Sequence, residues 1–260
     1  MESLLRFLLF LGATYAALTL TVYLLQDRII FYPREIWQEP HGGHVQPVSL
    51  PRADVTLHGW IVNSNSEGPL LVYFGGNAEE LSYLVDVFAK LNATTLLINY
   101  RGYGLSEGTP TASALIDDAR AVVGDLADRY RADRPLLLFG RSLGSGVAAS
   151  VAASVPVDGI ILMSPFRSLN HLADRIMPWL PTRWLLRHRI DVVAMLDSLP
   201  DKTLVLYSPQ DRIVPAKETQ ALLELFPNAP QIVQFRGGHN VPLTRHEIWQ
   251  AVRAFVGETN

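Results

Sequence analysis

Short runs of apolar and β-branched residues alternate with longer amphipathic stretches along most of the chain. Eight runs predict strands: Val45–Leu50, Val55–Val62, Leu70–Phe74, Thr94–Tyr100, Leu136–Phe139, Ile160–Met163, Thr203–Tyr207 and Ile232–Phe235. Five amphipathic stretches predict helices: Ala78–Leu91, Ala112–Tyr130, Ser145–Ser154, Lys217–Phe226 and Thr244–Val256. Strands that alternate with helices are typical of βαβ units. The pattern therefore predicts an α/β fold with a mostly parallel, eight-stranded sheet that is flanked by helices.

The strands themselves differ in pattern. The first two are close enough to form an antiparallel hairpin through residues 51–54. The remaining six are mostly continuous apolar runs, which is expected for strands that helices cover on both faces. The stretch 165–200 has no strand pattern and contains Trp179 and Trp184 near several basic residues. It predicts a small helical cap over the carboxyl edge of the sheet, with an ordinary connecting helix and loop as the alternative.

A different pattern opens the chain. Phe7–Leu25 contains nineteen residues without a charge, and as a helix it would be about 28 Å long, close to the thickness of a bilayer core. We expect residues 1–28 to form a single-pass membrane anchor and residues 29–260 to form the α/β domain. A cleaved signal peptide is the alternative. Flanking charges do not decide the orientation, but a short leading segment favours a catalytic domain outside the cytoplasm.

Composition narrows the classes of function. The formal net charge is −3 and 48% of the residues are hydrophobic, so the chain can bury a core and lacks the basic excess of a nucleic-acid binder. The chain has no cysteine, which excludes disulfides and thiolate metal sites. We expect no metal and no organic cofactor. Nothing in the sequence indicates an oligomeric state.

The motif Gly140-Arg141-Ser142-Leu143-Gly144 carries the strongest chemical signal. It follows the apolar run LLLF and precedes a helix of small residues. A sharp strand-to-helix turn would raise the Ser142 hydroxyl above the sheet, and Gly140 and Gly144 would remove collisions inside the turn. Ser145 is the nearest competitor, but it would lie within the helix. We therefore predict that Ser142 is a nucleophile.

A serine nucleophile needs a base, and the base needs a carboxylate that orients it. Asp211 follows the strand TLVLY, and His239 follows the strand IVQF and two glycines. Because the carboxyl ends of parallel strands meet at one edge of a sheet, these side chains are expected to converge on Ser142. Asp197 and Asp201 precede their strand and would lie at the opposite edge.

The oxyanion of an acyl-transfer reaction also needs donors. Leu143 supplies one backbone N–H because it follows the nucleophile at the start of a helix. The loop Gly75-Gly76-Asn77-Ala78 follows the strand LLVYF, and its glycines would let the backbone approach a substrate. We predict that the Asn77 N–H is the second donor.

From about residue 31 to residue 256, the chain resembles membrane-anchored, single-domain α/β-hydrolase-domain proteins. The resemblance is carried, in order, by IIFYPRE, LHGW, FGGNAE, NYRGYGLSEG, GRSLGSG, SPFRSL, DRIVP and GGHN. It implies the α/β-hydrolase fold and a serine hydrolase. Two positions depart from the family pattern: Gly75 stands where the family often has histidine, and Asn99 stands where it often has aspartate.

The residues and the resemblance together predict a hydrolase that cleaves carboxylic esters or thioesters through an acyl-enzyme on Ser142. The substrate would be a small or lipid-like ester, with its acyl chain drawn from the membrane. A peptidase or amidase with the same three side chains is the first alternative. A membrane-bound scaffold that binds partners without catalysis is the second.

Overall fold

The computed structural model describes residues 1–130 and 133–257. The strands are β1 (Val45–Pro51), β2 (Thr56–Val62), β3 (Leu70–Phe74), β4 (Thr94–Ile98), β5 (Leu136–Arg141), β6 (Gly159–Met163), β7 (Thr203–Tyr207) and β8 (Gln231–Gln234). The α-helices are α1 (Glu2–Ile30), α2 (Val85–Phe88), α3 (Ala112–Tyr130), α4 (Leu143–Ala152), α5 (Leu169–Ile176), α6 (Thr182–Leu185), α7 (Ala216–Leu223) and α8 (His246–Val256). Two 3₁₀ segments cover Ser82–Leu84 and Val193–Ser198.

The eight strands form one sheet in the order β1-β2-β4-β3-β5-β6-β7-β8. β1 and β2 pair as the predicted antiparallel hairpin, and β2 pairs antiparallel with β4. All of the other pairs are parallel. The predicted mostly parallel, eight-stranded α/β fold is therefore confirmed, and the carboxyl ends of β3, β5, β6, β7 and β8 lie along one edge.

Helices cover the two faces of the sheet and divide the core into two apolar layers. One layer contains Val72, Leu138 and Val147, with α3 and α4 on this face. The other contains Tyr73, Phe139 and Val252, with α8 on this face. Successive side chains of a strand point to opposite faces, so neighbouring residues such as Val72 and Tyr73 enter different layers. Burial of both faces explains the continuous apolar runs of the central strands.

Two predicted elements differ from the structure. The helix predicted over Ala78–Leu91 is wrong in extent, since only Ser82–Leu84 and Val85–Phe88 are helical. β8 is mostly exposed rather than covered on both faces, because it is the last strand of the sheet and pairs only with β7.

The N-terminal helix α1 is long and apolar enough to cross a membrane, and no residue of its most apolar window is buried. It continues to Ile30, two residues beyond the predicted end of the anchor. The next residue, Phe31, is fully buried and belongs to the core of the α/β domain. The end of α1 is therefore packed against the domain without an intervening linker.

Candidate active site

Ser142 occupies the sharp turn between β5 and α4. Its φ is +53° and its ψ is −117°, a strained conformation for a residue with a side chain. The turn is held because the Ser142 N–H donates to the Met163 carbonyl on β6, 2.8 Å away. The Ser142 hydroxyl is therefore raised at the carboxyl edge of the sheet, while the side chain remains 8% exposed.

The two motif glycines allow this turn to close. A Cβ atom on Gly140 would lie 2.1 Å from the Gly144 carbonyl oxygen, and one on Gly144 would lie 2.1 Å from the Phe74 carbonyl oxygen. Both obstacles are backbone atoms that cannot rotate away. The strand and the helix can approach this closely only when neither residue has a side chain.

We expect Gly144→Ala to lower the free energy of unfolding by about 1–3 kcal/mol or more, because the new methyl group must displace backbone. Gly124→Ala is the matched control. Gly124 also lies in a helix, but a Cβ atom there meets nothing within 4 Å, so alanine should raise stability by up to about 1 kcal/mol. Urea unfolding of both variants measures the difference. Equal effects of the two substitutions would contradict the steric explanation.

Asp211, His239 and Ser142 form a continuous chain of hydrogen bonds. His239 Nε2 lies 2.9 Å from Ser142 Oγ, and His239 Nδ1 lies 2.7 Å from Asp211 Oδ2. All three residues are at least nine-tenths buried. If Nδ1 carries the proton, the ring donates to the carboxylate and presents the Nε2 lone pair to the serine hydroxyl, which is the arrangement a general base requires.

The Asp211 carboxylate accepts hydrogen bonds from other groups besides His239. Its Oδ1 accepts from the backbone N–H groups of Ile213 and Val214, each at 2.9 Å, and its Oδ2 also accepts from the Ser164 hydroxyl at 3.0 Å. Burial opposes ionisation of this carboxyl. The hydrogen bonds from His239 and from the Val214 and Ile213 N–H groups outweigh burial, so the pKa of Asp211 lies below its ordinary value. The group is therefore a carboxylate at neutral pH.

Leu143 and Asn77 line the same cleft as Ser142. In the part of the chain that the structure describes, neither backbone N–H donates to another protein group. Leu143 is the first residue of α4, where the helix leaves its N–H groups unpaired. The predicted oxyanion donors therefore lie beside Ser142.

The loop that contains Asn77 is held by a buried ion pair that the sequence reasoning did not assign. Glu79 Oε2 accepts from the Gly76 N–H at 2.6 Å, and Glu79 Oε1 lies 3.0 Å from Arg141 Nη1. Arg141 Nη2 donates to the carbonyls of His239 and Val241, at 3.0 and 3.2 Å. Although burial opposes the charge, the Glu79 carboxylate keeps the pKa of Arg141 above its ordinary value. One guanidinium thus connects the turn at Ser142, the loop that contains Asn77 and the loop that contains His239.

The signals for these residues were present in the sequence. Glu79 ends the stretch FGGNAE, Arg141 is the second residue of GRSLG, and Ser164 begins SPFRSL. Each stretch is one of the motifs that carry the family resemblance, but the partner of each polar side chain comes from a distant part of the chain. Only the folded structure pairs them.

The two departures from the family pattern have local structural counterparts. A Cβ atom on Gly75 would lie 2.9 Å from a Leu81 methyl group, so a larger residue would require Leu81 to move. Asn99 is buried, and its amide donates to Glu80 Oε1 at 2.9 Å while its carbonyl accepts from the Leu81 N–H at 3.0 Å. An aspartate at position 99 would place a second carboxylate against Glu80, which like charges disfavour.

Comparison with known proteins shows the family to which the chain belongs. The sequence profile of a family described as serine aminopeptidase, S33, matches residues 71–197. A Mycobacterium tuberculosis protein is 32% identical over 248 residues, which cover 90% of this chain and 88% of the relative. The chain belongs to the α/β-hydrolase family. The family match supports an enzyme of the hydrolase class.

Two further comparisons bear on the membrane and on the fold. A Saccharomyces cerevisiae relative, named an uncharacterized membrane protein, is 31% identical over 276 residues, which cover 96% of each chain. An esterase from Pyrococcus furiosus superposes with a TM-score of 0.72 at 19% identity, covering 86% of this α/β hydrolase and 95% of the esterase. The second likeness concerns the fold alone.

Proposed function

We propose that this hydrolase cleaves carboxylic esters or thioesters through a covalent acyl-enzyme on Ser142. The observation that carries the proposal is the hydrogen-bond chain from Ser142 through His239 to Asp211, with distances of 2.9 and 2.7 Å. A serine hydroxyl becomes a nucleophile when an adjacent base removes its proton. We assign these three residues as the catalytic triad.

In the first half of the reaction, Ser142 Oγ bonds to the carbonyl carbon while its proton moves to His239 Nε2. The carbonyl oxygen becomes an oxyanion, which the Leu143 and Asn77 N–H groups stabilise. Asp211 stabilises the imidazolium that forms. The intermediate then collapses: the bond to the alcohol or thiol breaks, and the leaving group takes the proton from His239.

In the second half, water attacks the acyl-enzyme and gives a proton to His239. The new tetrahedral intermediate expels Ser142, which recovers the proton, and the carboxylic acid departs. All protons are therefore returned at the end of the cycle. Every proton transfer passes through the same atom, His239 Nε2, and no cofactor or metal takes part in the scheme we propose.

The lining of the cleft supports an acyl group as part of the substrate. The cleft at Ser142 has a volume of about 180 Å³, and its walls include the apolar side chains Phe166, Leu172, Met177 and Ile213. Burial of an acyl chain against these walls would supply binding free energy of about 0.8 kcal/mol per methylene. We propose further that residues 1–28 anchor the enzyme in a membrane with the domain 29–260, including a cap over 165–200, outside the cytoplasm.

A peptidase or amidase is the second candidate, because the matched family is described as serine aminopeptidase. The triad and the oxyanion donors would serve an amide equally well. The identity of the leaving group, oxygen, sulfur or nitrogen, separates the two proposals.

A labelling experiment and a substrate panel test the proposal together. We expect a fluorophosphonate probe to form an adduct on Ser142, and p-nitrophenyl and thioester substrates to be cleaved faster than aminoacyl amides. Peptide mapping by mass spectrometry locates the adduct. Faster cleavage of the amides would favour the peptidase, and a folded protein with no adduct would favour a scaffold without catalysis.

A further inference from the structure

The cleft at Ser142 adjoins a second apolar groove, which lies between α1 and the cap (residues 165–200). Both spaces are lined by the same five side chains: Ile29, Ile30, Ala173, Met177 and Leu186. The surface that the groove presents is apolar throughout. Apolar side chains therefore extend from the cleft at Ser142 to the junction of α1 and the cap, and we call this stretch the apolar path.

One wall of this path is a single face of α1. Val22, Tyr23, Gln26, Ile29 and Ile30 line the groove, and their spacing of three or four residues places them on one side of a helix. From Ile30 to Val22 the wall extends about 12 Å along the helix axis. The segment that we propose as the membrane anchor is thus also part of the substrate path.

A polar contact holds α1 against the cap. The Gln26 side chain accepts from the Arg187 N–H at 2.8 Å and donates to the Leu185 carbonyl at 3.2 Å. Asp27 lies 2.9 Å from the Arg187 guanidinium and 2.6 Å from His188 Nε2. These contacts hold α1 against the cap and pair the polar groups of Gln26 and Asp27 with groups of the cap.

The cap also reaches far along α1. The Tyr15 hydroxyl donates to the Trp179 carbonyl at 3.0 Å, and Tyr15 lies in the middle of the apolar run Phe7–Leu25. Ile176, Trp179 and Trp184 are exposed beside this contact, by 54, 47 and 79%. Val22, at the outer end of the groove, also belongs to this run. When Phe7–Leu25 spans a bilayer, the outer end of the groove therefore lies at the level of the lipid acyl chains.

We propose that the acyl chain of a membrane-borne ester occupies this groove and enters it sideways from the bilayer, with its carbonyl group at Ser142. The proposal rests on the function proposed above and names its substrate class as esters of long-chain fatty acids. The occupant follows from the five side chains that the groove shares with the cleft at Ser142 and from its apolar surface. A long chain would extend past Ile30 toward Val22, whereas a short chain would end inside the cleft.

The test places a bulky side chain at the boundary between the cleft at Ser142 and the groove. Ala173 lines both of them, so phenylalanine at this position should exclude a long chain and spare a short one. In full-length enzyme reconstituted in phosphatidylcholine vesicles, we expect Ala173→Phe to lower kcat/KM for p-nitrophenyl palmitate by at least about tenfold. The loss for p-nitrophenyl butyrate should be several-fold smaller, so that the ratio of the two kcat/KM values falls.

Ala194→Phe is the matched control, because Ala194 is an exposed residue of the cap that lines neither space. It should leave the ratio of the two kcat/KM values unchanged. If Ala173→Phe lowers both esters equally, or leaves palmitate unaffected, the groove does not hold the acyl chain and the proposal is wrong. The unfolding midpoint and circular dichroism spectrum of Ala173→Phe show in either case whether the variant is folded.

A binding measurement separates failure of this proposal from failure of the proposed function. Palmitic acid with a photoreactive diazirine at the end of its chain should crosslink to residues 22–30 or 173–186, and Ala173→Phe should reduce these adducts. That result would support the groove even if the wild-type enzyme cleaved neither ester. Adducts confined to other segments would overturn the groove proposal while leaving turnover of short esters as a separate result.

Discussion

Replacing Ser142 with alanine is expected to lower kcat/KM for ester hydrolysis by roughly 10⁴- to 10⁶-fold, the range seen when a triad serine is removed from other hydrolases. The substitution removes the only atom that forms a covalent bond to the substrate in the proposed reaction. The fold should remain intact, because the Ser142 N–H, which holds the turn, is a backbone group. Steady-state rates with p-nitrophenyl butyrate, together with the unfolding midpoint, measure both effects.

Ser150→Ala is the control for this variant. Ser150 lies on the same helix, α4, is fully buried, and its hydroxyl donates to the Gly146 carbonyl within the helix. Loss of that hydroxyl should leave kcat/KM within about threefold of the wild-type value, because removing one neutral hydrogen bond of this kind costs only about 1 kcal/mol of stability. A Ser142→Ala variant with a rate close to that of Ser150→Ala would refute the role of Ser142 as nucleophile.

Asp211→Asn is expected to lower kcat by about 10³- to 10⁴-fold, the scale of the same change in another serine hydrolase. The carboxylate accepts from His239 Nδ1 and leaves Nε2 free to act as a base. An asparagine amide that donated to Nδ1 would favour the opposite tautomer, with its proton on Nε2, where it cannot accept from Ser142. It would also remove the negative charge that stabilises the imidazolium.

The matched control is Asp197→Asn, since Asp197 is exposed in the 3₁₀ segment that precedes β7. This variant should keep kcat within about twofold of the wild-type value, as expected for a surface substitution. Comparable losses in the two variants would mean that a lost carboxylate acts through the overall charge and not through His239.

The pH dependence of stability offers a second measurement on Asp211→Asn. In the folded protein the pKa of Asp211 lies below its ordinary value of 3.8, so the carboxylate favours the folded state. This contribution is fully present above the ordinary value and is lost as the pH falls through the folded-state pKa. The difference in unfolding free energy between wild type and variant should therefore shrink on acidification below about pH 4.

The sequence predicted the parts of the site that depend on order along the chain. Apolar runs located the strands, and residues that follow parallel strands meet at one edge of the sheet. Ser142, Asp211 and His239 could therefore be selected together from their positions after β5, β7 and β8. The distances between their atoms could not be predicted, because they depend on loop conformations, which do not follow from the periodicity of apolar residues.

The helix predicted over Ala78–Leu91 is wrong in extent because tertiary contacts override the local amphipathic pattern. Ala78 has a φ of +56° and its N–H donates to the Phe31 carbonyl at the end of α1. Glu79 and Glu80 are buried and accept from Gly76, Ser82 and Asn99. These tertiary hydrogen bonds replace the first turns of the helix that the amphipathic pattern favours, because a buried carboxylate must be paired.

By itself, the sequence determined the class of fold, the apolar character of α1 and the residue types at the nucleophile turn, since each follows from periodicity, length or the absence of a side chain at Gly140 and Gly144. The tertiary structure alone decided the Glu79–Arg141 ion pair, the contact of Gln26 and Asp27 with the cap, and the apolar path beside α1. These features join segments that are distant in the chain. Such contacts form only when folding removes both partners from water, so neither partner's local sequence specifies the other.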